Sequence, residues 1–172
     1  MILTSDPDVA LEATGLVVPG VGAFAACMSG LNRVKAAEVI QARYSQSRPT
    51  IGICIGMQVL FADSDENGSH AGIKMWPTSV TKLHAPVLPH MGWNTVEPDT
   101  KSTLFNGIEG ESFYFVHSYA ARDLPGAVNT YATHGEKFLA ATEDGALCAT
   151  QFHPEKSGKA GLALIKNWSK GL

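Results

Sequence analysis

A chain of 172 residues, 45% hydrophobic and 17% charged, holds enough apolar content for one soluble domain with a core of its own. Its formal net charge of -3 at pH 7 excludes the basic face that nucleic-acid or anionic-membrane binding needs. No apolar run reaches the roughly 18 residues of a membrane span, and no HExxH or paired Cys or His spacing points to a metal, so neither metal nor other cofactor is expected.

The opening "MILTSDPD" carries no basic leader, so no secretory signal is read there. "MILT" reads as a short strand, and "SDPDVALEAT" as a helix with Ser5 or Asp6 as its cap and Pro7 in its first turn. "GLVV" is a buried strand closed by "PGVG". A helical stretch then runs from about Ala23 to Tyr44, with a break near Gly30-Leu31-Asn32. "TIGI" is a second buried strand, and "GMQVLFA" switches to helical character. Beyond residue 72 the chain turns strand-like: "IKMWPTSVTKL", "SFYFVHSYA", "VNTYATH", "KFLAATE" and "ALCATQFH", with turns at Gly126, Gly135 and Gly145. A last helix from about Gly158 to Lys170 carries Leu162, Ile165 and Trp168 at helical spacing. The predicted plan is a parallel α/β core with right-handed crossovers and a more antiparallel layer after residue 72.

Three cysteines, Cys27, Cys54 and Cys148, form an odd and widely spaced set. That fits reduced thiols in the cytoplasm rather than a disulfide framework. Cys54 stands out in "GICIG", between Gly52 and Gly56, where a strand switches to a helix. The pattern matches the G-x-S-x-G elbow with cysteine for serine; small neighbours let the backbone turn sharply and aim the nucleophile out of the sheet. A helix beginning there would favour thiolate through its dipole. The alternative is a buried structural thiol, since free cysteine is among the most buried residues. Cys27 reads as helical and Cys148 as core-facing on a strand.

A thiolate needs a base. Of the six histidines, His153 ends a strand-like run in "TQFHPEKSG", and Pro154 keeps the next step extended. Residues two apart on an extended segment face the same way, so Glu155 can orient His153. The alternative is a loop histidine beside an unrelated glutamate. Upstream, the "VVPGVGAF" loop can offer backbone N–H groups to an oxyanion. Its Gly20-x-Gly22-x-x-Ala25 spacing also meets a loose dinucleotide fingerprint. That motif wants an acidic residue roughly 20 positions on, at a strand end, whereas Glu38 lies in a helical stretch.

Taken together, "PGVGAF", "GICIGMQVLF", "PHMGWN", "FYFVHSY" and "TQFHPEKSG" resemble the class I glutamine amidotransferases, and among them the glutaminase subunits of imidazole glycerol phosphate synthase. The motifs are in order and span nearly the whole chain. The resemblance implies a three-layer, flavodoxin-like α/β fold with a mostly parallel sheet and an added antiparallel layer, as one domain over residues 1–172. It implies that Cys54 attacks the side-chain amide of glutamine, that His153 shuttles the proton and that Glu155 orients His153. Backbone N–H groups around Gly20, Val21, Gly22 and Ile55 would hold the oxyanion. Gln58 and Glu66, with the backbone of His117, Ser118 and Tyr119, would hold the glutamine. The ammonia would pass to a (βα)8-barrel cyclase partner in a heterodimer of histidine biosynthesis. His90, Met91, Gly92, Trp93, Asn94 and Tyr114 would lie near that partner, although Trp93 and Tyr114 also read as core or sheet packing.

Family members begin with a further strand and helix ahead of the stretch matching "ILTSDPD", so that first unit is expected to be absent from this chain. Another class I glutaminase, a cysteine hydrolase of the same fold and a non-catalytic remnant are the competing functions. The presence of Cys54, His153 and Glu155 together speaks against the remnant.

Overall fold

The computed structural model describes all 172 residues. The expected strand at "MILT" is not formed: Met1, Ile2 and Leu3 are exposed, and no strand lies beside them to share a ladder of hydrogen bonds. Asp6 caps helix α1 (Pro7–Glu12), its carboxylate accepting from the N–H groups of Asp8 and Val9. Strand β1 (Leu16–Gly20) leads into helix α2 (Phe24–Arg33), and helix α3 (Ala36–Ser45) follows. The helical break therefore falls at Val34-Lys35, not at Gly30-Leu31-Asn32. Gly30 stays helical, with only the Arg33 side chain near it, whereas Lys35 takes a left-handed φ of 53° that ends α2 and restarts the chain in a new direction.

Strand β2 (Thr50–Cys54) runs into helix α4 (Ile55–Gln58), a single turn. The longer helix expected through Ala62 is cut short by competing donors. The N–H groups of Ile73, Trp76, Lys74 and Gly72 take the carbonyls of Val59, Leu60, Phe61 and Ala62. The remaining strands are short: β3 (Asp63–Ser64), β4 (His70–Ala71), β5 (Ser79–Lys82), β6 (His90–Thr95), β7 (Glu97–Pro98), β8 (Ser112–His117) and β9 (Tyr119–Ala120). Three longer or central ones follow, β10 (Val128–His134), β11 (Glu136–Asp144) and β12 (Leu147–Thr150), then a 3-10 turn (Pro154–Lys156) and helix α5 (Gly158–Ser169).

The central sheet has the order β1-β2-β12-β11-β10-β7. β2 pairs in parallel with both β1 and β12, and the pairings beyond β12 are antiparallel. The antiparallel part is thus divided. Part of it extends the central sheet, while β6 with β8, and β4-β3-β5-β9, form separate small sheets. Side chains alternate across the sheet. Val18, Leu139, Leu147 and Ala149 join Phe24, Met28, Ile40 and Trp76 in one core. Ile51, Phe138, Ala140 and Cys148 join Phe105, Phe113, Phe152 and Leu164 in the other. Helices α2 and α3 cover the first core, and α5 with β8 the second, which makes the three layers. No helix is long and apolar enough to cross a membrane.

One buried cation ties the first layer to the sheet. Arg43 on α3 is fully buried. It donates to the carbonyls of Ala10, Leu11 and Ala13 at the end of α1, to those of Thr14 and Pro49, and to the Thr50 hydroxyl. Its guanidinium fork thereby closes the C-terminus of α1 and fixes where β2 begins. Arg43→Met should strip these buried acceptors of their donor and cost about 3 kcal/mol or more. Urea unfolding at pH 7 measures it; Arg43→Lys should recover only part, because an ammonium cannot span the same fork of acceptors.

Candidate active site

Cys54 ends β2 with φ 56° and ψ -112°, a conformation sterically unfavourable for a residue with a side chain. The strain follows from how tightly α4 lies on the strands. A Cβ at Gly56 would overlap the Val18 carbonyl oxygen; one at Gly20 would overlap the Gly56 nitrogen, and one at Gly52 the Gly56 oxygen. The glycines of "PGVG" and "GICIG" that touch one another are thus close-approach glycines. They press the turn down, and the backbone at Cys54 absorbs the reversal. Gly20 packs beneath the turn and does not line the cavity.

The thiol of Cys54 is buried, and burial pushes it up to about 11. The Ile55 N–H and the Lys156 ammonium oppose that shift, while the Glu155 carboxylate adds to it. With α4 only one turn long, that single N–H stands where a helix dipole was expected. Cys148 is pushed up to about 12, by burial first and then by Glu143 and Asp144. What distinguishes Cys54 is therefore its position, at the floor of a cavity of about 400 Å³.

His153 reaches the same cavity from just beyond β12, the parallel neighbour of β2. Phe152, fully buried, wedges against Phe113 with ring centroids 4.4 Å apart, and also meets Phe105 and Phe115. Alternation then sends Gln151 and His153 the other way. His153 is held on β8 twice, by its N–H to the Tyr114 carbonyl at 2.9 Å and through Ser157, whose hydroxyl donates to the His153 carbonyl at 2.7 Å and accepts from the Tyr114 N–H at 3.0 Å. Its Nδ1 meets Glu155 Oε1 at 2.7 Å. A carboxylate only accepts, so Nδ1 carries the proton and Nε2 is free to take one.

The cavity is also lined by Val21, Gly22, Ile55, Gln58, Glu66, His117, Ser118 and Tyr119, and by Pro89, Val116 and Lys156, which sequence reasoning did not single out. Glu66 accepts from the Phe24 N–H at 2.6 Å and so caps α2 from across the cavity mouth. Gln58 Nε2 donates to the Tyr119 carbonyl at 2.8 Å and to Gln151 Oε1 at 3.0 Å, and its own Oε1 is buried without a partner. Gln151 was also missed, although it precedes His153 by two, the same spacing that drew attention to Glu155.

The "HMGWN" residues form β6, paired with β8 so that Trp93 lies opposite Tyr114, their rings 6.2 Å apart. Met91 and Trp93 are about 60% exposed, at 62% and 60%. Gly92, with φ 132°, lies between them. His90 and Asn94 point inward. His117 Nδ1 meets the Tyr119 carbonyl at 3.0 Å, its Nε2 meets His90 Nδ1 at 3.0 Å, and His90 Nε2 meets the Asn94 amide nitrogen at 3.3 Å. The two imidazoles are kept neutral: burial lowers His90 to about 4, with His134 adding to the effect, and lowers His117 to about 3, with His90, His134 and Arg122 adding to it and the Tyr119 carbonyl opposing it.

Comparison with known proteins places the chain in a family. The family model "Glutamine amidotransferase class-I" matches residues 4–170. The chain is 54% identical to the imidazole glycerol phosphate synthase subunit HisH of Mycobacterium bovis, covering 99% of this chain and 85% of that protein. It is 53% identical to the same subunit of Nocardia farcinica, at 99% and 85%, and 52% to that of Thermobifida fusca, at 96% and 84%. Among solved structures, a glutamine amidotransferase superposes with a TM-score of 0.73 at 15% identity, over 96% of this chain and 85% of that one. A putative GMP synthase protein from Thermoplasma acidophilum gives 0.71 at 19% identity, over 96% and 76%. At such identities the two structures speak for the fold alone.

The neutral pair makes the fold acid-sensitive. Unfolded histidines take up protons below about pH 6.5, while folded His90 and His117 resist down to about 4 and about 3. The unfolded state then binds more protons, so stability falls as pH drops from about 6.5 towards 4. Urea midpoints at pH 7, 6 and 5 should decline with an uptake of about two protons on unfolding; a constant midpoint across that window would contradict a neutral pair.

Proposed function

The chain belongs to the class I glutamine amidotransferase family, and from that membership we propose how its residues carry the reaction. It is a glutamine amidotransferase subunit of histidine biosynthesis. In the proposed cycle, glutamine enters the cavity with its carboxamide carbon over Cys54. His153 Nε2 takes the thiol proton and the sulfur attacks. Backbone N–H groups of Val21, Gly22 and Ile55 receive the negative charge that builds on the amide oxygen. His153 returns its proton to the departing nitrogen, ammonia leaves, and a glutamyl thioester remains. Water then adds, its proton going to His153; the C–S bond breaks and glutamate is released. Glu155 keeps the imidazole in the tautomer that both halves need.

The observation that carries this reading is the His153–Glu155 hydrogen bond at 2.7 Å behind an imidazole that lines one cavity with Cys54. Glu66 and the backbone of His117, Ser118 and Tyr119 are proposed to hold the amino and carboxylate ends of glutamine, with Gln58 bracing that wall. The ammonia is proposed to pass to a (βα)8-barrel cyclase in the cytoplasm. The apolar face of Met91 and Trp93, with His90, Gly92, Asn94 and Tyr114 around it, is proposed to meet that partner.

Cys54→Ala should abolish glutamine hydrolysis while ammonium-dependent cyclase activity survives in the complex, since the two reactions use different sites. His153→Asn should cost about 10²–10⁴-fold in kcat, the usual share of a general acid–base. Glu155→Gln should cost less, because its amide can still accept from Nδ1. Steady-state glutamate release with the cyclase present measures all three. Near-normal turnover in His153→Asn would remove that residue from the mechanism.

A further inference from the structure

Gln151 is 1% exposed, and the cycle above gives it no task. Its Nε2 lies 3.9 Å from Cys54 Sγ, and its Oε1 accepts from Gln58 Nε2 at 3.0 Å. Which end of an amide faces which neighbour is decided by the hydrogen bonds around it. Here the choice propagates from a fixed point, the Tyr119 carbonyl, which can only accept.

Gln58 must turn its nitrogen to that carbonyl, and the second N–H of the same nitrogen then meets Gln151. Gln151 must answer with oxygen, which leaves its NH₂ facing the sulfur. The other branch agrees. His117 donates Nδ1–H to the same carbonyl, so its Nε2 accepts from His90 Nδ1–H, and His90 Nε2 accepts from Asn94. Asn94 is fixed independently, because its nitrogen also donates to the Thr133 carbonyl at 3.0 Å. One assignment of donors runs through the whole chain from β6 to the thiol and leaves Gln58 Oε1 without a partner; its reversal would set oxygen against oxygen at Tyr119.

We infer that Gln151 is a further catalytic residue, whose Nε2–H group donates to the Cys54 sulfur and stabilises the thiolate, with Gln58 as the positioning residue that keeps the amide in that sense. The inference rests on Cys54 being the nucleophile. A donor aimed at a sulfur favours the anion over the thiol. The other groups around Cys54 pull both ways. Glu155 disfavours the thiolate, Lys156 and the Ile55 N–H favour it, and Cys27 on α2 adds a small unfavourable share. His153 and Glu66 share its cavity. The donor acts twice in the cycle. It stabilises the sulfur before attack, and again when water has added and the C–S bond breaks with the electron pair leaving on sulfur.

The test is alkylation of Cys54 in the full chain between pH 7 and pH 9, read by peptide mass spectrometry with iodoacetamide and with the bulkier N-ethylmaleimide. Below the thiol's midpoint the rate follows the thiolate fraction. Gln151→Met should slow both reagents by the same factor, about tenfold, and lower kcat for glutamine with KM little changed. A change in access would slow the two reagents unequally. Gln151→Glu, which keeps an oxygen for Gln58 and sets an anion against the sulfur, should slow alkylation further and serves where the methionine variant does not fold. Unchanged, faster or reagent-dependent rates in these variants overturn the donor role. Wild-type protein whose Cys54 is not alkylated, or whose glutaminase survives Cys54 alkylation, would instead overturn the nucleophile.

Discussion

The peptide of Gly56 lies on the Val18 carbonyl so closely that no side chain fits at that position. Gly52 and Gly20 are bare for the same reason, since each faces the Gly56 peptide. A strand that must reverse at once into a turn resting on its own sheet has no relaxed path, and the misfit collects at the residue between. Cys54 takes the positive φ that this requires. The sulfur is thereby lifted off the strand axis to the end of the parallel strands, where α/β folds place their ligands. Packing between α4 and β1 thus determines the position of the Cys54 sulfur.

His153 is positioned by different forces. Phe152 is held in an aromatic cluster, and an extended backbone cannot bury one residue without presenting its neighbours on the other side. Gln151 and His153 are those neighbours. Ser157 and the Tyr114 backbone then remove the remaining freedom at His153. Because β8 also pairs with β6, the strand that carries Met91 and Trp93 is braced by the same strand that holds His153.

Much of this was legible in the sequence. The paired glycines around Cys54 and the His153-x-Glu155 spacing are local signals, since both depend on geometry within a few residues. The core strands β1, β2 and β12 were legible as apolar runs, and Asp6 as a cap. What failed was set at long range. "GMQVLFA" has helical composition, but its carbonyls are claimed by residues 72–76, which no local pattern announces. "MILT" has strand composition without a strand to pair with. The break before α3 falls at Lys35, because a glycine without close backbone neighbours such as Gly30 permits a break without requiring one. β6 does not read as a strand, since Gly92 at φ 132° interrupts a short segment whose apolar residues face out and whose polar ones, His90 and Asn94, face inward.

That inversion has a physical purpose within the fold. A buried histidine is costly unless its nitrogens are both engaged. Three inward groups, Asn94, His90 and His117, satisfy one another only in a single tautomeric order that ends at the Tyr119 carbonyl. Gln58 and Gln151 continue from that carbonyl to the sulfur, which burial alone would keep as an unreactive thiol. The chain is entirely neutral, so it adds no charge that would have to be desolvated, yet it delivers an oriented N–H to the Cys54 sulfur. An ionised donor in the same place would suffer the burial penalty that raises the thiol itself. A neutral, fully directed network is the form of stabilisation that a buried site beside two hydrophobic cores can hold.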